Sequence, residues 1–220
     1  MASKEEHTIF ALLNELGEIK DKVFDEHIIL DFSDTEYTLD KQKSLLFKNV
    51  TFNATFTFIN FKLEHLPIIE IDQCVFFDNV VFKNVSVPYM YFQISNCTFH
   101  QKSPLRFSDS SLSLFQFDEN KIDSCNLNNI QTNELIINNC SVKKYLSIRN
   151  IDCDYTEITN EKGNHCNRIL IDSPKVKEAI IQSKDSIDSL YISELQTAYI
   201  SGEYNNINIS SKDFTHIEIS

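Results

Sequence analysis

The sequence is poor in the residues that usually form tight turns, and it contains no tryptophan. Its 220 residues include 3 Gly and 4 Pro, whereas Phe occurs 17 times. Compact all-β folds with many tight turns normally need glycine where the backbone dihedral φ is positive. We therefore expect turns that Asn, Asp and Ser can form. The apolar residues of the body are mainly Phe, Ile, Leu and Val, which favours strands over helices.

Basic residues are also scarce. Residues 1–40 contain three basic and eleven acidic residues, a net charge of −8, whereas the rest of the chain is nearly balanced at −4. Because binding to nucleic acid requires clustered Lys and Arg, we expect no direct binding to it. The acidic N-terminal region is typical of a solvated helix, and docking of a basic partner there is the alternative.

No segment resembles a targeting signal or a membrane span. The first residues lack a basic stretch that leads into an apolar core and a cleavage site, so we expect no secretory signal. No apolar run approaches the roughly 18 residues needed to cross a bilayer. We expect a cytoplasmic protein outside the membrane, in which the six cysteines are reduced.

A five-residue period is the most informative feature of the chain. From Leu105 onward, pairs of residues two apart recur at every fifth position, and the second member is large and apolar in seven of eight pairs. A helix would drift out of phase with this step, and a flat strand requires a period of two. The pairs are Leu105/Phe107, Ser110/Leu112, Phe115/Phe117, Asn120/Ile122, Cys125/Leu127, Ile130/Thr132, Leu135/Ile137 and Cys140/Val142.

A longer signature, apolar-x-Asn-apolar-x-apolar, places Asn between the apolar pairs. Asn suits a corner because its amide bonds neighbouring backbone groups and because it tolerates left-handed conformations. We therefore predict a coil that stacks on itself, with Asn at the corners and the apolar pairs inside. The six copies begin at Phe47, Phe58, Phe82, Ile94, Ile137 and Ile148.

The run from Leu105 to Val142 resembles the pentapeptide-repeat proteins, and Cys125-Asn-Leu127 and Cys140-Ser-Val142 match them best. This resemblance implies an all-β fold, a right-handed quadrilateral parallel β-helix. The first member of a pair is often large here, as at Leu105 and Phe115, and a less regular parallel β-helix remains the alternative. The predicted core ladder is Phe107, Leu112, Phe117, Ile122, Leu127, Ile137 and Val142.

The chain divides into an N-terminal helical cap with leading strands at residues 1–41 and a β-solenoid at residues 42–220. Residues 4–24 show a helical stripe that runs from Ile9 to Val23, and Ser3 with Glu6 fits a capping box. We expect this helix to cover the open edge of the first coil, and a partner-binding helix is the alternative. Residues 27–41 are expected to form the leading strands.

At the C-terminal end, apolar residues alternate with polar ones and no helical pattern follows. We therefore predict a bare strand edge, formed by Ile207, Ile209, Ile217 and Ile219, that pairs with another copy or with a partner.

Candidate catalytic and metal sites are weak. Residues 159–168 bring together Glu161, His165 and Cys166, but an adjacent His-Cys lacks the usual zinc spacing. We therefore predict a surface loop there. The carboxylate pairs Asp152/Asp154 and Asp31/Asp34 could support glycoside chemistry, but the chain has few of the aromatic and arginine partners that such sites use. We assign no catalytic, metal-binding or cofactor-binding residue.

The pentapeptide-repeat resemblance also bears on function, because members of that family are mostly non-catalytic. Some resemble a DNA duplex in shape and charge and act on DNA gyrase. The leading hypothesis is a non-catalytic binding or inhibitory protein that acts through one face of the solenoid on an unknown protein partner. The alternatives are a scaffold that assembles end to end through the C-terminal edge, and a carbohydrate-active β-helix enzyme.

Overall fold

The chain forms one continuous parallel β-solenoid. The structure is a computed structural model that describes residues 9, 11–13, 17–33, 44–62, 68–100, 104–161, 166–173, 175–193, 195–210 and 215–220, without the side chains of 185 and 186. The strands are β1 Glu18–Lys20, β2 Val23–Phe24, β3 Ile28–Asp31, β4 Leu45–Lys48, β5 Thr51–Phe52, β6 Phe56–Ile59, β7 Ile68–Asp72, β8 Val75–Phe76, β9 Val80–Lys83, β10 Ser86–Ser95, β11 Thr98–Phe99, β12 Leu105–Asp118, β13 Lys121–Gln131, β14 Glu134–Asn138, β15 Ser141–Asn160, β16 Cys166–Asp172, β17 Lys175–Ser193, β18 Thr197–Ser210 and β19 His216–Ile219.

Each coil has four sides, and each side pairs in parallel with the same side of the next coil. Side 1 comprises β1, β4, β7, residues 91–95 and 114–118, β14, residues 155–160, 178–183 and 197–202, and β19. Side 2 includes β2, β5, β8, β11 and residues 121–122 and 141–142. Side 3 comprises β3, β6, β9 and residues 105–108, 125–128, 146–149, 168–172, 189–193 and 206–210. Side 4 includes residues 86–87, 111–112, 130–131, 151–152 and 175–176.

The length of a coil changes along the rod. Leu105 pairs with Cys125 and Phe115 pairs with Leu135, a step of 20 residues, or four five-residue units. Leu45 pairs with Ile69, a step of 24 residues, because the early coils carry longer corners. The regular five-residue spacing therefore coincides with the coils that have the shortest corners of the central rod.

The predicted corner role of Asn is confirmed. All six signature asparagines have φ between 50° and 59°, the left-handed region that Asn tolerates better than other side chains. They occupy two corners, between sides 1 and 2 and between sides 3 and 4. The six residues are Asn49, Asn60, Asn84, Asn96, Asn139 and Asn150.

Small polar side chains at the first inward position satisfy the backbone of the preceding coil. The Cys97 N–H donates to Asn120 Oδ1 at 2.8 Å, and the Val85 N–H donates to Ser110 Oγ at 3.0 Å. A buried N–H without a partner would cost about 1–3 kcal/mol. This need explains why apolar residues give way to Asn or Ser at these positions.

Phenylalanine fills the second inward position of the early coils. Phe52 stacks on Phe76 with ring centroids 5.1 Å apart, and Phe76 stacks on Phe99 at 4.8 Å. Across the core, Phe115 of side 1 contacts Phe107 of side 3 at 4.3 Å, so these two sides face each other from opposite walls. All seven residues of the predicted core ladder are buried.

The helical segment is shorter than the sequence pattern suggests. Residues 9 and 11–13 are helical, and Ile9 and Leu13 are fully buried in the core. The prediction of a helix to residue 24 is wrong, because β1 and β2 occupy residues 18–20 and 23–24 and pair with the next coil. Ser3, Glu6, the boundary between residues 41 and 42 and most of the stretch after Ser33 lie outside the described residues.

The interruption predicted at residues 159–168 is also narrower. Residues 159 and 160 end β15, and Cys166 begins β16 and pairs with Val142. Cys166 is therefore a buried side 2 residue and not part of a surface loop, whereas residues 162–165 fall outside the described part of the chain. All six cysteines are free and buried.

Candidate binding surface

Side 1 carries charge of one sign along most of its length. From β7 to β19, its described strand segments contain Glu and Asp but neither Lys nor Arg. Ion pairs on this stretch join Asp72 to Lys48 at 3.5 Å, and Glu218 to His216 at 3.9 Å. The carboxylates are Glu70, Asp72, Asp118, Glu134, Glu157, Glu178 and Glu218.

The register of side 1 arranges its outward side chains in two columns. One column places Leu114, Glu134, Tyr155 and Glu178 on successive coils. The neighbouring column places Gln116, Ile136, Glu157 and Ile180 on the same coils. Each carboxylate therefore has an aliphatic or aromatic neighbour, a mixture that suits the apolar stems and charged ends of basic side chains.

Tyr155 lies at the centre of this negative surface. Its hydroxyl donates to Glu157 Oε2 at 2.7 Å. Burial, the bond to Glu157 and the nearby charges of Glu178 and Glu134 raise the pKa of Tyr155 to about 12. The phenol therefore stays neutral and keeps its proton on the carboxylate. Two further tyrosines of side 1, Tyr91 and Tyr199, are 53% and 37% exposed.

Side 3, on the opposite wall, has the reverse charge. From β9 to the end of the described side, it carries four basic residues and one acidic residue, Asp172. All three arginines of the chain lie on this side, and Arg168 lies over the ring of Tyr191 at 5.8 Å. The basic residues are Lys83, Arg106, Arg149 and Arg168. The rod is therefore electrically polarised across its width.

A polar groove of about 670 Å³ runs along side 4 and contains Asp152, Asp109 and Lys175. Lys175 binds Asp152 at 3.2 Å, and Asn129 Nδ2 donates to Asp109 Oδ1 at 2.8 Å. The adjacent Asp154 is paired with Lys177, and this bond raises the pKa of Lys177. Both members of the Asp152/Asp154 pair are thus neutralised by lysine, and this groove does not present two convergent uncompensated carboxylates.

The other carboxylate pair is engaged at a corner. Asp31 Oδ1 accepts bonds from Asn60 Nδ2 at 2.8 Å and from the Ser33 N–H at 3.0 Å. The bond from Asn60, followed by that from Ser33, lowers the pKa of Asp31. Its proposed companion Asp34 lies outside the described residues.

Cysteine reactivity is suppressed by burial. Burial raises the pKa of Cys166 to about 12 and that of Cys153 to about 11, so neither is a thiolate at neutral pH. His165 lies outside the described residues. Within the part of the chain that the structure describes, no group of three or more His, Cys, Asp and Glu side chains could hold a metal ion.

At the C-terminal edge, β19 pairs with residues 197–200 of β18. Ile207 and Ile219 are 37% and 55% exposed, whereas Ile209 and Ile217 are half-buried. Among the described residues, no strand covers the outer edge of residues 204–210.

Comparison with known proteins identifies no relative: no family model, no curated protein and no solved structure matches this chain. None of the described helical residues forms a helix long and apolar enough to cross a membrane.

Sequence reasoning did not find side 1. Glu134, Glu157 and Glu178 are 23 and 21 residues apart, so no fixed period connects them. Knowledge of the pairing register is needed to bring them together.

Proposed function

We propose that the chain is a non-catalytic binding protein that recognises a basic protein surface through side 1. The observation that supports this most directly is the run of carboxylates from β7 to β19 with no Lys or Arg on the same described strand segments. Charge of one sign speeds the encounter with an oppositely charged partner and favours its correct orientation. The half-buried Ile136, Tyr155 and Ile180 provide apolar contact area among the charges.

The charge density of side 1 sets the kind of partner. Its seven carboxylates lie on eight successive strands, a length of about 34 Å at about 4.8 Å per step. One charge per roughly 5 Å is about a third of the density of duplex DNA, which carries one per about 1.7 Å. Side 1 therefore suits a moderately basic protein surface, and a nucleic-acid-binding surface is the extreme case.

The test compares two variants that each lose three negative charges. The first carries Glu134→Gln, Glu157→Gln and Glu178→Gln on side 1. The matched control carries Asp109→Asn, Asp172→Asn and Asp188→Asn, whose amide oxygens can still accept the bonds from Asn129, Ser193 and Asn205. Each chain is immobilised and challenged with extract of its source cells, and bound proteins are eluted with salt.

The wild type and the control should retain the same basic proteins, and the side 1 variant should lose them. Addition of duplex DNA reports whether the captured surface binds nucleic acid, because DNA then competes with the solenoid. Equal retention by the two variants would contradict side 1 as the binding surface.

The non-catalytic assignment is supported by the pairing of the side 4 carboxylates with lysine and by the raised pKa values of the buried thiols. Four five-residue units per coil between residues 105 and 142 support the resemblance to pentapeptide-repeat proteins. Six free, buried cysteines support a reducing, cytoplasmic location.

A scaffold that assembles end to end is the second candidate, and the exposure of Ile207 and Ile219 favours it. An uncovered strand edge with apolar side chains is a template for pairing with another chain. Sedimentation of the wild type should show concentration-dependent mass, and Ile207→Lys with Ile219→Lys should abolish it. A wild type that stays monomeric at every concentration would rule out this route.

A further inference from the structure

Sides 1 and 3 carry opposite charges at the same levels of the rod. In the coil of residues 134–152, Glu134 lies on side 1 and Arg149 on side 3. In the coil of residues 155–176, Glu157 lies on side 1 and Arg168 on side 3. The match is therefore built into single coils, although the two residues point in opposite directions.

The same relation holds towards both ends. In the coil of residues 68–87, Glu70 and Asp72 lie on side 1 and Lys83 on side 3. In the coil that begins at residue 178, the half-buried Ile180 lies on side 1 and the half-buried Tyr191 on side 3. Apolar and charged positions are thus both matched.

We propose that a second copy of this chain docks its side 3 against side 1, with the two rods parallel and at the same height. A copy displaced sideways, without rotation, brings each side 3 cation to within about half a coil rise of the side 1 carboxylate of the same coil. The inference rests on the proposed function, because it names one basic surface that side 1 recognises.

The interface is weak and sensitive to salt. A side about 15 Å wide and about 35 Å long buries about 500 Å² on each partner, which is at the lower limit for specific association. Exposed ion pairs contribute little individually, and salt screens them. The contact is also heterologous, since each copy uses a different surface, so it continues into rows instead of closing as a dimer.

The test uses charge reversal on each side separately. One variant carries Glu134→Arg and Glu157→Arg, and the other carries Arg149→Glu and Arg168→Glu. These positions are on the surface and outside the core, and circular dichroism checks that each variant keeps its strand content. Mass is measured by sedimentation velocity at about 0.01 M and about 0.15 M ionic strength, where the screening length falls from about 30 Å to about 8 Å.

The wild type should associate at low salt and dissociate at least tenfold more readily at high salt. Each variant alone should be monomeric, because its two sides now carry like charge. An equal mixture should associate again, since the unchanged side 3 of one variant meets the unchanged side 1 of the other. The pair Ile207→Lys and Ile219→Lys should not alter this association, because it changes the end of the rod.

Two results would overturn the inference: a wild type that is monomeric at low salt, or a mixture that fails to associate when the wild type does. The proposed function is judged separately by capture of basic proteins on the wild type and the glutamine variant. A monomeric wild type that still captures them would remove the second copy as partner and leave the proposed function intact.

Discussion

Replacement of one corner asparagine tests the physical origin of the coil. Asn129 has φ of 55°, and its Nδ2 donates to Asp109 Oδ1 at 2.8 Å. In Asn129→Ala, the left-handed backbone costs about 1–2 kcal/mol, and loss of the exposed hydrogen bond adds about 0.5–1 kcal/mol. In Asn129→Gly the bond is lost but the strain is absent, and the greater freedom of the unfolded chain costs about 0.4–1 kcal/mol. Alanine should therefore destabilise more than glycine by about 0.5–1 kcal/mol.

The neighbouring Asn128 is the matched control. It is also exposed, lies in β13 with an ordinary φ, and its Oδ1 accepts a bond from Asn150 Nδ2 at 3.2 Å. Here glycine should be the worse replacement by about 0.5–1 kcal/mol, because no positive φ compensates for its flexibility. Urea unfolding followed by far-UV circular dichroism measures all four variants. If glycine is at least as harmful as alanine at residue 129, the account of the corners is refuted.

Three further predictions concern the core and the thiols. Phe115→Ala removes a fully buried ring and should lower the free energy of unfolding by about 3–5 kcal/mol in urea titrations; a loss below about 1 kcal/mol would contradict its central packing. Gly202→Ala should abolish amide exchange protection in β18, because the new Cβ would lie 2.2 Å from the Ser183 carbonyl oxygen and φ is 125°; unchanged protection would show that the corner can relax. Burial raises the pKa of Cys140 to about 12 and that of Cys153 to about 11. The free energy of unfolding should therefore be undiminished below about pH 8.5, the pKa of a free thiol, and should fall as the pH rises from there towards 11 to 12; a rise over this range would have the wrong sign.

The inside of the solenoid could be predicted from the sequence because its rule is local. The inward pair and the corner residue lie within six positions of each other, so Phe107, Ile122 and Asn139 could be placed without knowledge of which coils are neighbours. Their burial and the positive φ of Asn139 follow from that short pattern. The helix was overextended for the same reason, because Ile19 and Val23 have helical spacing while Asp21, with φ of 53°, turns the chain between β1 and β2.

The outer surface could not be predicted, because it depends on register between coils. The step from one coil to the next is 24 residues at Leu45, 20 at Leu105 and 19 at Glu178. An error of one residue in any step moves a side chain from outside to inside, since successive residues of a strand alternate. The acidity of side 1 and the basicity of side 3 are therefore invisible in a composition that is nearly balanced over the solenoid.

Carboxylate footprinting tests the binding surface most directly. The chain is labelled with a carbodiimide and an amine, with and without a lysine-rich peptide, at a protein concentration too low for self-association. Mass spectrometry of the digest reads the labelling of Glu134, Glu157 and Glu178 on side 1 against Asp172 on side 3. The account predicts that the peptide suppresses labelling on side 1 and leaves Asp172 unchanged. Equal suppression at all four carboxylates, or suppression confined to Asp172, would contradict it.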